Sequence, residues 1–146
     1  MIKILFVCPD NSLLSPAAKA MLMNIGGNEF DVESAGLTTK PLNPALNKVL
    51  LEFGISIHEH TPQLLEHFSE AERAKLFQYV IPLTQSTALH NFSLFKYATK
   101  NVKFQFDIFL SDSQNSVNEK TIHDFCTTLQ LCLEDFVVEV LDKRLK

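Results

Sequence analysis

Apolar residues follow two alternating rhythms along this chain. Ile2-Lys3-Ile4-Leu5-Phe6-Val7 is an almost continuous apolar run, the pattern of a central parallel strand covered on both faces. A polar stretch follows, Cys8-Pro9-Asp10-Asn11-Ser12-Leu13-Leu14-Ser15. Ser15-Pro16 predicts a helix start, with the serine as N-cap and the proline in the first position. Ala17, Ala18, Met21, Leu22 and Ile25 then recur at helical spacing until Gly26-Gly27. Phe30–Ala35 reads as a second strand ending at Gly36. Asn43-Pro44 opens a second helix through Phe53, which turns Leu46, Val49, Leu50 and Phe53 to one face before Gly54. Leu64–Ala74 predicts a third helix. Phe77–Leu83 predicts a third strand that Pro82 should end, and Val102–Leu110 a fourth. From Val117 onward, Ile122, Phe125, Cys126, Leu129, Leu133, Phe136, Val137, Val140 and Leu141 make one long amphipathic helix.

Strands alternating with helices predict an α/β fold, a three-layer sandwich with a central parallel sheet of about four strands. The chain of 146 residues is expected to form one domain over residues 1–146. With 46% hydrophobic and 21% charged residues, its composition is that of a soluble globular protein. A net charge of −4 gives a nucleic-acid or acidic-membrane partner no electrostatic support. No apolar run approaches the roughly 20 residues of a membrane span. A strand from the second residue argues against a signal peptide, and an odd set of scattered cysteines suits a reducing compartment. A cytoplasmic location is expected.

Candidate chemistry sits between the first strand and the first helix. In such sheets ligands lie beyond the C-terminal strand ends, where Cys8 falls. A strand-loop-helix turn aims backbone N–H groups and a helix N-terminus at one spot, which makes an anion site. A cysteine at its mouth is a candidate nucleophile, because the same dipoles favour the thiolate.

Ile4-Leu5-Phe6-Val7-Cys8, Asn11-Ser12, Ser15-Pro16 and Ala18 resemble the opening of the low-molecular-weight protein tyrosine phosphatases and the related arsenate reductases. Ser34-Ala35-Gly36 resembles the end of that family's second strand, Asn43-Pro44 through Ile57 its next helix and exit, and Tyr79-Val80-Ile81 its third strand. The resemblance implies the three-layer fold and no cofactor. It implies Cys8 as nucleophile and Asp112 as general acid, although Ser113 follows where the family has proline; Asp107 is a weaker candidate. Asp10, Asn11, Ser12, Leu14 and Ser15 would form the anion-binding loop, with Asn11 shaping it. The expected ligand is phosphate or another small anion, free or on a phosphoprotein.

One position breaks the pattern. The family's loop ends in an arginine that grips two phosphate oxygens, and here the residue is Leu14. Losing that bidentate pair removes about 3–6 kcal/mol, or on the order of 10² to 10⁴ in rate. Asp10 replaces a glycine, and its charge would repel a phosphate dianion by up to ~3 kcal/mol at about 5 Å and an effective dielectric near 20. An aspartate tolerates the left-handed backbone that a glycine there would supply. Cys8, the loop amides and Asp112 are expected to face one shallow pocket with Leu14 as an apolar wall. The chain thus reads as a phosphatase-like protein with impaired or absent catalysis.

Two alternatives remain beside it. One is a non-catalytic interaction or anion-binding module. The other is a cysteine phosphocarrier like the sugar-transport domains of the cellobiose type, which also lack the arginine. Thioredoxin-coupled arsenate reduction is disfavoured, since Thr84-Gln85-Ser86-Thr87 offers no resolving thiol. His58, His60 and His67 are too loosely spaced for a metal site and read as surface residues, while Cys126 and Cys132 read as core.

Overall fold

The computed structural model describes residues 1–57, 59–68, 77–83 and 118–145. Among them a parallel sheet has the order β2-β1-β3, with β1 at Ile2–Cys8, β2 at Phe30–Gly36 and β3 at Tyr79–Pro82. Ile2 to Cys8 align with Phe30 to Gly36 on one side, and Ile4 to Val7 with Tyr79 to Pro82 on the other. The apolar run is therefore the central strand. The fourth strand expected at Val102–Leu110 lies outside the described residues.

Both faces of β1 are buried, with period-two alternation. Ile2, Ile4, Phe6 and Cys8 join the larger core cluster, whereas Leu5 and Val7 pack with Ala35, Leu65, Phe77 and Val80 on the opposite face. The larger cluster is closed by α1 (Leu14–Gly26), α2 (Pro44–Glu52) and α3 (Glu119–Leu145). On α3, Ile122, Cys126, Leu129, Leu133 and Phe136 are fully buried. The Phe136 ring meets Tyr79 edge-on at 5.5 Å between centroids. This apolar stripe fixes the last helix across α1 and α2.

The helix starts follow local chemistry in two cases. Asn43 caps α2, its side-chain oxygen accepting from the Ala45 amide at 2.9 Å, with Pro44 in the first turn. Asn118 does the same ahead of α3, accepting from the Thr121 amide at 2.8 Å. The third case corrects an expectation. Ser15 does not cap α1: the helix starts at Leu14 with Leu13 as its cap, and no side chain bonds there. Ser15 lies within the first turn, so its hydroxyl turns to the site instead. Leu65–Phe68 is a short 3-10 turn, and residues 69–74 of the helix expected there lie outside the described residues.

Candidate active site

Cys8 ends β1, and the chain leaves the sheet along the segment that follows β2. The carbonyls of Cys8, Pro9, Asp10 and Ser12 accept from the amides of Leu37, Thr38, Lys40 and Asn43 at 3.3, 3.0, 3.1 and 2.8 Å. The segment after β2 thus takes up four of the loop's carbonyls. Among the described residues, the Leu13, Leu14 and Ser15 amides have no partner, as expected of a helix's first turn. Pro9 brings no N–H to the loop at all.

Asn11 is the knot of the loop. It has φ of +55°, the positive-φ non-glycine residue among those described. The left-handed turn thus falls on Asn11 and not on Asp10, where a glycine's role had been expected. Its side chain is fully buried and its partners hold it from three elements. Asn11 Nδ2 donates to Ser15 Oγ at 2.9 Å on α1 and to Ser34 Oγ at 3.0 Å on β2. Asn11 Oδ1 accepts from the Gln63 amide at 2.9 Å, and its carbonyl accepts from His60 Nε2 at 2.8 Å. A carbonyl only accepts, so Nε2 carries the proton in this contact.

Behind the knot lies Gly36. A Cβ there would come within 2.6 Å of the Asn11 amide nitrogen and 2.5 Å of the Thr38 carbonyl oxygen. The absence of a side chain lets the loop close against the sheet end.

The Cys8 sulfur lies 2.9 Å from Ser15 Oγ and is 1% exposed. Ser15 Oγ already accepts from Asn11, so its proton is free to go to the Ala35 carbonyl, at 3.3 Å, or to the sulfur. A hydroxyl placed this way can turn its proton onto a thiolate as it forms. Leu14 is 6% exposed and belongs to the core cluster that contains Cys8, Leu13 and Ala17. Asp10 folds onto its own loop: Oδ1 accepts from the Ser12 amide at 3.1 Å and from the Ser12 hydroxyl, and Oδ2 lies 3.9 Å from Lys40 Nζ.

Cys8, Asp10, Asn11, Ser12, Leu14 and Ser15 thus belong to one loop and helix start. Asp112 and Asp107 lie outside the described residues. A cleft of about 510 Å³ flanks the loop on another side, lined by α1 (Pro16, Lys19, Met23), β2 (Glu33, Ser34) and His60, but not by Cys8 or Leu14. Cys126 is buried and its thiol is pushed by that burial from about 9.0 up to about 12; Cys132 is partly buried. Among the described residues no group of His, Cys, Asp or Glu is placed to hold a metal ion. His60, Gln63 and Lys40 are contributors that sequence reasoning missed, because each reaches the loop from a distant segment; Ser34 was marked only as part of a strand end.

Residues 3–124 match the low molecular weight phosphotyrosine protein phosphatase family, and the chain belongs to it. Arsenate reductase 1 of Staphylococcus epidermidis is 38% identical over 64 residues, 44% of this chain and 48% of that protein. The chain spans about half the length of the curated relatives it matches. Among solved structures, the YwlE arginine phosphatase of Geobacillus stearothermophilus superposes with a TM-score of 0.77 at 21% identity, covering 99% of this chain and 96% of that one. An arsenate reductase in a phosphate-binding state superposes at 0.76 and 21% identity, covering 95% and 98%. At that identity the likeness carries the fold. Among the described residues no helix is long and apolar enough to cross a membrane.

Proposed function

We propose that this chain is a phosphatase-family protein whose Cys8 loop binds a phosphate-type oxyanion but hydrolyses phosphate monoesters poorly or not at all. The observation that carries the reading is Leu14, an apolar side chain 6% exposed at the start of α1, where the family's arginine is expected. The loop retains a cysteine beside a hydroxyl and the first-turn amides of a helix, which suit an anion. A leucine donates nothing to the equatorial oxygens that bear the transition-state charge. Pro9 removes one amide, and the Asp10 carboxylate opposes a dianion.

In the residual reaction, Cys8 would attack phosphorus and Asp112 would protonate the leaving oxygen, the roles that the family resemblance assigns. The ligand is inorganic phosphate or a phosphorylated protein side chain. A reducing cytoplasm would keep Cys8, Cys126 and Cys132 out of disulfides, as they are here.

The test is hydrolysis of p-nitrophenyl phosphate by the wild type against Cys8→Ser, with phosphate binding followed in parallel. Phosphate binding without Cys8-dependent turnover supports the reading. A Cys8-dependent rate typical of an intact phosphatase overturns it. A stable, stoichiometric phosphocysteine would replace it with the phosphocarrier alternative.

A further inference from the structure

Leu14 brings no cation to the loop, yet a cation stands beside it. Lys40 Nζ lies 3.9 Å from Asp10 Oδ2. The Lys40 backbone N–H donates to the Asp10 carbonyl at 3.1 Å, so the main chain holds the two residues side by side whatever their side chains do. The Lys40 side chain is 67% exposed and the Asp10 side chain 27%. The ammonium therefore keeps its freedom to move, while the carboxylate is tucked against the loop. The other carboxylate oxygen of Asp10 takes the Ser12 N–H and hydroxyl. A phosphate oxygen asks for the same donors as a carboxylate oxygen, namely loop N–H groups and a nearby cation. Asp10 holds within its own loop the contacts that an incoming oxyanion would need.

We propose that Lys40 is the cationic residue of the oxyanion site, and that the Asp10 carboxylate occupies Lys40 and the Ser12 N–H until a phosphate-type dianion takes them over. The proposal rests on the anion-binding reading above and adds the residue that supplies the charge. No covalent bond changes; one anion replaces another. Among the described residues, Lys3, Lys19, Lys48 and Lys143 are paired with Asp31, Glu33, Glu119 and Glu139, none of which belongs to the loop. A lysine is a compact charge on a flexible stem, whereas an arginine fork fixes two oxygens at once. Such a site holds an anion without clamping it for in-line transfer, which separates binding from turnover.

The experiment titrates inorganic phosphate into the wild type, Lys40→Gln, Lys40→Arg and Asp10→Asn, reading the loop amide resonances at low salt. Melting curves confirm that each variant is folded. Lys40→Gln is expected to weaken phosphate about tenfold, the loss of one charge-assisted bond, and Lys40→Arg to restore it. Asp10→Asn is expected to tighten binding, since the neutral amide competes less for Lys40. Added salt should shrink these differences. Unchanged affinity in Lys40→Gln, or weaker binding in Asp10→Asn, overturns the proposal. Absence of phosphate binding in both wild type and Asp10→Asn overturns the anion-binding reading itself, and the proposal with it.

Discussion

Asn11 Nδ2 donates at 2.9 Å to Ser15 Oγ, the same oxygen that lies 2.9 Å from the Cys8 sulfur. The loop's shape and its thiol are therefore connected through one hydroxyl. Asn11 is also in the left-handed region, so a substitution there tests backbone and side chain separately. Asn11→Gly is expected to lose the buried side-chain bonds at about 2–4 kcal/mol. Asn11→Ala loses the same bonds and adds roughly 1–2 kcal/mol for a Cβ in that conformation. Urea unfolding of both variants measures the difference. Equal stability of the two would mean that the loop relaxes out of the left-handed turn.

Ser15→Ala removes one acceptor of Asn11 and the partner of Cys8 while keeping the helix. A loss of about 1–3 kcal/mol is expected, because a buried donor is left with fewer partners. Were Ser15 an ordinary helix cap, its hydroxyl would accept from a first-turn amide of its own helix, and replacing it would leave the amide resonances around Ser34 and Gln63 in place. Shifts at those two residues, on other segments, are the outcome expected here.

Gly36→Ala would place a methyl group 2.6 Å from the Asn11 amide nitrogen. The neighbours are backbone atoms, which cannot swing aside, so the variant is expected to displace the loop. Phosphate binding should fall more steeply than it does in any substitution of Lys40. Preserved loop resonances in this variant would refute the close approach.

Cys126 has its thiol raised from about 9.0 to about 12 by burial. Its neutral form is favoured in the folded state, while the unfolded chain ionises at the ordinary value. The contribution to stability is complete below about pH 8.5–9 and is lost as pH rises toward 12, at up to about 1.4 kcal/mol per pH unit. Cys126→Ala should flatten that slope in chemical denaturation between pH 8.5 and 10.5. In native alkylation followed by mass spectrometry, partly buried Cys132 is expected to label first, Cys8 slowly and Cys126 only after unfolding.

The sheet was legible because β1 needs apolar residues on both faces, and the run from Ile2 to Val7 supplies them. The caps at Asn43 and the stop at Pro82 were equally local signals. The start of α1 was misread because a Ser-Pro pair fits a helix start by propensity, while tertiary contacts drew Ser15 toward Asn11 and Cys8. The left-handed residue was displaced by one position for a related reason: Asp10 is free to fold back on Ser12, and Asn11 has the buried partners that hold the strained turn. Cys8 and its loop followed from the order of residues along the chain. His60, Gln63 and Lys40 did not, because they meet the loop only through folding, and a histidine weighed for metal spacing alone shows no sign of donating to a carbonyl.

The cause assigned to impaired hydrolysis is the pair Leu14 and Asp10, and restoring what they lack is the most direct test. Leu14→Arg combined with Asp10→Gly supplies a bidentate donor and removes the opposing charge. The double variant is expected to hydrolyse p-nitrophenyl phosphate at least about 10²-fold faster in kcat/KM than the wild type. The gain should vanish when Cys8→Ser is added, and Leu14→Arg alone should recover less, since Asp10 can hold the new guanidinium off the substrate. A folded double variant no faster than the wild type would contradict the account and leave the interaction module as the better description of the chain.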